Sequence, residues 1–283
     1  MADIAIVTDS ACDLAPQIVS QLRITIVPLI VRFGADTYLD GELSRDEFWD
    51  RAEAGPHPQT SQPPVGAFQE VFSRLVAAGK HVICPVISSK ISGTYNSARI
   101  AAESFAGKVT VFDTGVWSLL QGYQVIKAAR SAAAGLGIDS IVATLSEIRG
   151  RSHCFISVDT IDYLGRGGRA QRVMPALRRV VSALSIKPII QLRDGEMHPF
   201  AAARSRLKAM RRITRELQKH VPAEALIVAH TRISDLAHEY ARDLAEQFSF
   251  DQEKPMICEL GPALASHAGP GALAAGVIEA ASS

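Results

Sequence analysis

Short apolar runs alternate with amphipathic stretches through the first half of the chain. Asp3–Thr8 (DIAIVT) has the pattern of a buried strand, Leu14–Leu22 reads as a short helix, and Ile24–Phe33 reads as a second strand rich in Ile and Val. Ser44 opens SRDE, with Glu47 at the spacing of a capping box, which predicts a helix to about Ala54. Gly55–Pro64 reads as a polar, proline-containing loop. Val65–Ala78 is amphipathic, with Phe68, Val71, Phe72 and Leu75 on one face. His81–Ile87 is a predicted strand, followed by a Ser/Gly loop and a helix from about Thr94. A strand at Val109–Phe112 and helices at Leu119–Ala134 and Asp139–Arg149 complete this half. Strands alternating with helices imply right-handed βαβ units and a mostly parallel sheet.

The second half has a different rhythm. Cys154–Val158 is strand-like, Asp159–Leu164 leads into a Gly/Arg turn, and Pro175–Leu184 reads as a helix. Lys187–Arg193 and Met197–Ala202 flank Asp194-Gly195, a two-residue hairpin signal. Helices are predicted at Leu207–His220 and Ile233–Phe248, strands at Ala225–His230 and Lys254–Leu260, and a closing helix at Pro270–Ala281. The expected fold class is α/β in two domains. A mostly parallel doubly wound domain spans 1–155, and a second α/β domain spans 156–283.

Composition narrows the function classes. Hydrophobic residues make up 47% and charged residues 21% of the 283, enough apolar material for packed cores. Lys and Arg number 30 against 29 Asp and Glu, and this balance argues against a dedicated nucleic-acid binder. It conceals an asymmetry: residues 1–150 carry net −3 and residues 151–283 net +4. The basic excess sits in Arg166–Arg179 and Arg204–Lys219. No uncharged apolar run reaches the roughly 18 residues a membrane span needs, and the first residues, MADIAIV, lack the basic region of a signal peptide. The four cysteines (12, 84, 154, 258) form no CxxC pair. They read as core residues in a reducing, cytoplasmic compartment, with no metal site expected.

Candidate chemistry lies at the ends of the predicted strands, where parallel α/β sheets bind ligands. Ser88–Thr94 (SSKISGT) places four hydroxyls between a strand and a helix, more than capping requires, and suits an anion. Thr8-Asp9-Ser10 and Asp113-Thr114-Gly115 are further polar strand ends, and the loop before Val65 holds Thr60-Ser61-Gln62-Pro63. His267 stands in SHAGPG, where Pro270 fits a helix start and His267 falls just before it. Arg166 and Arg169 flank glycines in a turn that suits either an anion or a partner protein. GxSxG, Walker A, HExxH and a strand-linked GxGxxG are all absent. An acyl hydrolase or transferase built on Ser92 or Ser10 with His267 as base is the enzymatic alternative.

These segments together resemble the DegV family of bacterial fatty-acid-binding proteins. The matching pieces are TDSACDL (8–14), TSQPP (60–64), SSKISGTYNSA (88–98), DTGVWSLLQG (113–122), DTIDYLGRGGR (159–169), IKPII (186–190) and HAGPGALAAG (267–276), in family order over nearly the whole chain. The resemblance implies two α/β domains with a long-chain fatty acid, such as palmitate, stearate or oleate, buried between them. It implies no cofactor and no catalytic residue. Thr60, Ser92 and His267 would hold the carboxylate, with Ser61, Gly93 and Thr94 beside them. A separate fatty acid kinase would phosphorylate the presented carboxylate, and an acyltransferase of phospholipid synthesis is an implied second partner. Arg204, with Arg169 as a second candidate, would face the kinase. Two departures bear on this. Lys90 stands where the family has Gly, and Ala202-Ala203-Arg204-Ser205 keeps only the Arg of the family's Lys-x-Arg-Thr.

Overall fold

The structure, a computed structural model, describes residues 3–166, 174–175 and 186–281. The chain divides into two compact units. One comprises Met1–Gly150 with Gly261–Ala263, the other Arg151–Leu260 with Leu264–Ser283.

The first unit is built on a four-stranded parallel sheet in the order β2-β1-β6-β7, formed by Thr25–Val27 (β2), Ile4–Asp9 (β1), His81–Val86 (β6) and Val109–Asp113 (β7). The period-2 alternation of β1 and β6 sends Ile6 and Ile83 to one face and Val7, Val82 and Cys84 to the other. On the first face they meet Val125 of α5 (Leu119–Ala133) and Ile141 and Leu145 of α6 (Ile138–Gly150). On the second they meet Phe68 and Phe72 of α3 (Val65–Ala77) and Ala98 and Ala101 of α4 (Thr94–Ala102). Cover on both faces explains why these strands read as continuous apolar runs.

The expected single strand over 24–33 is broken. Pro28, which has no N–H to donate, separates β2 from β3 (Ile30–Phe33). β3 belongs to a separate antiparallel sheet, β4-β3-β5, with Asp36–Leu39 (β4) and Gln59–Ser61 (β5). The expected loop over 55–64 therefore contains a strand, with Thr60 opposite Val31. The Ser44 capping box is present: Ser44 Oγ accepts from Glu47 N, and Glu47 accepts from Ser44 N at 2.9 Å, opening α2 (Arg45–Ala54).

The second unit holds a six-stranded mixed sheet in the order β10-β9-β8-β13-β11-β12, of which only the β11–β12 pair is parallel. The strands are Ser152–Ser157 (β8), Lys187–Arg193 (β9), Glu196–Ala203 (β10), Ala223–His230 (β11), Met256–Glu259 (β12) and Leu273–Glu279 (β13). Asp194 (φ 54°) and Gly195 (φ 79°) join β9 to β10, as a two-residue hairpin turn requires. Helices α8 (Arg206–Leu217) and α9 (Ser234–Gln247) cover one face through Met210, Ile213, Leu217, Tyr240 and Leu244.

The helix expected over 270–281 is instead β13, an inner strand paired on both sides. Its alanines favour a helix locally, but Leu273, Ala275 and Val277 alternate into the core, and tertiary pairing overrides propensity. The helix in this region lies earlier, at α10 (Pro262–Ala268). The helix expected over Pro175–Leu184, and Arg169, lie outside the described residues but for the helical Pro175. No helix among the described residues is long and apolar enough to cross a membrane.

Candidate functional site

The carboxyl end of β1 carries a fully buried carboxyl group. Asp9 is fully buried, and its carboxylate accepts from Ala11 N at 2.9 Å, Ile87 N at 2.8 Å and Gln121 Nε2 at 3.2 Å. Burial pushes its carboxyl up to about 6, against the opposing pull of these hydrogen bonds. Thr8 donates to the Pro85 carbonyl at 2.7 Å, and Thr114 to the Val86 carbonyl at 2.8 Å. Asp9 thus ties three elements together, which identifies its role as structural. Gln121, buried within α5, carries no local signature and sequence reasoning missed it.

Beside it lies a row of carboxyls with assigned donors. Ser10 Oγ donates to Asp40 Oδ2 at 2.6 Å and accepts from Leu29 N at 3.0 Å. Asp40 Oδ1 accepts from Ala263 N at 3.1 Å. Asp13 accepts from Ser118 Oγ at 2.6 Å and from Gly261 N at 2.9 Å. Desolvation raises both carboxyls, Asp13 to about 7. The Ser10 hydroxyl is committed to this network, which leaves it bonded to Asp40 and Leu29 where a nucleophile would face an imidazole.

The structure brings Thr60–Gln62 and Ser92–Thr94 together within the first unit. Pairing of β5 with β3 positions Thr60 and Ser61, both half-buried, and the chain then delivers Gln62 against Gly93. Ser92 and Thr94 are buried, their hydroxyls 2.8 Å apart, and Thr94 N donates to Ser92 Oγ at 3.3 Å. Gly93 between them is the N-cap of α4. The loop's other hydroxyls are used locally. Ser89 bonds Asp113 through both its hydroxyl and its N–H, and Ser88 Oγ accepts from Lys90 N at 3.2 Å. Ser92 and Thr94 remain as the hydroxyl pair at the mouth of the helix, where N–H groups and the helix dipole favour an anion. Lys90, in place of the family's Gly, is exposed.

His267 belongs to the second unit. It was expected just before a helix and lies instead in the last turn of α10, half-buried. The glycines after it are turn residues: Gly269 (φ +72°) and Gly271 (φ +74°) both occupy the left-handed region. Thr231 staples this turn, donating to the Gly269 carbonyl at 2.6 Å and accepting from Ala272 N at 2.9 Å. Asp159 sits beneath Gly271 and binds both Arg206 and Lys187. Arg204 is exposed between β10 and Ser205, the N-cap of α8.

A doubly wound parallel unit with a buried hydroxyl pair at a strand-to-helix junction, joined in sequence to a mixed-sheet unit with a threonine-stapled glycine turn, defines a two-unit α/β protein. The family described as "Uncharacterised protein, DegV family" matches residues 3–280. The chain belongs to the DegV family. It is 33% identical over 278 residues to a DegV domain-containing protein of Streptococcus pneumoniae, covering 97% of this chain and 98% of that one. A solved DegV family protein from Thermus thermophilus, described as fatty acid binding, superposes with a TM-score of 0.90 at 30% identity, covering 98% of this chain and all of that one. A stearic acid-binding protein from Eubacterium ventriosum superposes with a TM-score of 0.87 at 28% identity, over 99% of this chain and 98% of that one.

Proposed function

We propose that this chain binds a long-chain fatty acid and presents its carboxylate to a fatty acid kinase. The observation that carries the reading is the meeting of Thr60–Gln62 with Ser92–Thr94, which sets buried hydroxyls and a helix N-terminus at one place. A buried carboxylate is costly without donors. Thr60, Ser92 and His267 supply them in this reading, with Ser61, Gly93 and Thr94 in support. The likeness to fatty-acid-binding DegV proteins supports the same ligand class. An acyl tail of about 16–18 carbons, as in palmitate, stearate or oleate, gains about 0.8 kcal/mol per buried CH₂ before ordering costs are subtracted.

The chemistry in this reading belongs to the kinase. A carboxylate oxygen attacks the γ-phosphorus of ATP, ADP leaves, and an acyl phosphate remains for an acyltransferase of phospholipid synthesis in the cytoplasm. Exposed Arg204 serves as a docking residue for the kinase, and Arg169, outside the described residues, is the second candidate.

Native mass spectrometry of gently purified protein, followed by solvent extraction, tests the binding step. The expected result is one fatty acid per chain. Protein that is empty and also refuses added oleate and palmitate overturns the reading.

A further inference from the structure

We propose that His153, His220 and Glu279 form a binding site for one divalent transition-metal ion of the zinc type. The site lies wholly in the second unit and uses none of the residues assigned to the fatty acid.

The fold assembles it from three separate places in the sequence. β8 and β13 pair antiparallel with His153 opposite Val277, and Arg151 O accepts from Glu279 N at 2.9 Å. Glu279 is two residues beyond Val277, so it projects from the same face of the sheet as His153. That face is the one α8 covers, since Val277, Ile213 and Leu217 share one core cluster. A 3-10 turn, Gln218–His220, continues α8 past Leu217 and carries His220 to this end of the sheet.

The three donor atoms lie close enough together for one ion to span them. His153 Nε2 and His220 Nδ1 each lie 3.3 Å from the same Glu279 oxygen, Oε2. All three ligand atoms lie within 4.8 Å of one another. Zinc bonds of about 2.0–2.1 Å to nitrogen and oxygen, at tetrahedral angles, place neighbouring ligand atoms roughly 3.3–3.5 Å apart. The two imidazoles are stacked, with centroids 3.4 Å apart and planes 12° from parallel; a metal lies close to the plane of each ring that binds it, so one imidazole turns out of the stack when both nitrogens take the same ion.

Two imidazoles and one carboxylate are the donor set of borderline ions such as Zn²⁺, and not of Ca²⁺ or Mg²⁺, which take oxygen ligands. The side chains of His153, His220 and Glu279 are 24%, 28% and 44% exposed, which gives an ion access and leaves a fourth position for water. Arg151 is the nearby cation. It donates to the Glu279 backbone carbonyl and pairs with Glu224 at 2.9 Å, so its charge is matched and its contact orients the end of β13. Lys219, the other neighbouring cation, is paired with Glu216.

Calorimetric titration of the chelator-treated full-length protein with ZnCl₂ tests the site, with CoCl₂ absorption spectra reporting the ligand geometry. The expected result is one saturable Zn²⁺ equivalent and a tetrahedral Co²⁺ spectrum. His220→Ala, at the end of a surface turn, should weaken binding by at least roughly tenfold, the loss that disturbing even a ligand's outer partners brings. Glu279→Gln should do the same. Circular dichroism and cooperative urea unfolding establish that each variant is folded. Absence of saturable Zn²⁺ binding in the wild type overturns the proposal. So does a folded His153→Ala/His220→Ala variant that binds Zn²⁺ as tightly as the wild type.

Discussion

The carboxamide of Gln62 lies against the α-carbon of Gly93, so closely that a β-carbon at Gly93 would stand 3.0 Å from both Cδ and Nε2 of Gln62. This contact fastens the segment following β5 to the start of α4, and so sets Thr60 relative to the Ser92–Thr94 hydroxyls. Glycine at 93 is what lets the amide approach.

Gly93→Ala should therefore move Gln62 without upsetting the fold. A glutamine side chain is long and can swing away, so the expected stability cost is about 1 kcal/mol or less in urea unfolding. Fatty acid affinity, measured by displacement of a fluorescent analogue, should fall severalfold. A large loss of stability with unchanged affinity would contradict the account of this contact.

Ser92→Ala and Thr60→Ala each remove a hydroxyl assigned to the carboxylate. A hydrogen bond to a charged group is worth about 1.5–3 kcal/mol, so each change should weaken palmitate binding by roughly tenfold to a hundredfold. A double variant that binds palmitate as the wild type does would remove both residues from the site.

Asp9 gives the protein a pH signature. Its folded carboxyl titrates near 6, above the ordinary 3.8, so between these values the folded state holds more proton than the unfolded state. Its contribution to stability is fully present below about pH 4 and is lost as pH rises through 6. The expected size is on the order of 3 kcal/mol. The measurement is urea unfolding of wild type and Asp9→Asn at several values between about pH 4 and pH 8. The stability difference between the two proteins should shrink as pH rises through this window, and a pH-independent difference would refute the assignment.

Gly271→Ala should be costly for two reasons. The left-handed φ of +74° strains an alanine, and its β-carbon would stand 2.6 Å from Asp159 Oδ2 and 2.9 Å from Arg206 Nη2. The expected loss is about 1–3 kcal/mol. Gly66→Ala is the control, because a β-carbon there meets nothing within 4 Å. In thermal unfolding Gly66→Ala should be neutral or slightly stabilising, and equal losses for the two variants would count against this reading of the turn.

Local signals in the sequence were sound where local physics decides the outcome. The Ser44 capping box, the Asp194-Gly195 hairpin and the α/β class are all present in the structure. The errors arose where distant pairing decides. The alanine-rich stretch after Gly271 looks helical by itself and becomes a strand because β8 and β11 flank it. Pro28 divides what seemed one strand between two sheets. Ser92 and Thr94 are legible as hydroxyls after a strand and Thr60 as a hydroxyl of a polar loop, but the Gln62–Gly93 contact that relates them joins segments with no local cue. Gln121 was hidden inside an ordinary helical pattern, and the His153–His220–Glu279 group is drawn from three distant segments that carry no metal-binding spacing.

The return of Gly261–Ala263 to the first unit has a consequence for how the protein is made. During synthesis, residues 1–150 emerge long before the N–H groups of Gly261 and Ala263 exist to serve Asp13 and Asp40. The nascent first unit must wait for more than a hundred further residues with two carboxyls short of donors. It reaches its finished form only once most of the second unit has been translated, so a boundary drawn at Gly150 for expression would yield a fragment lacking part of its own structure.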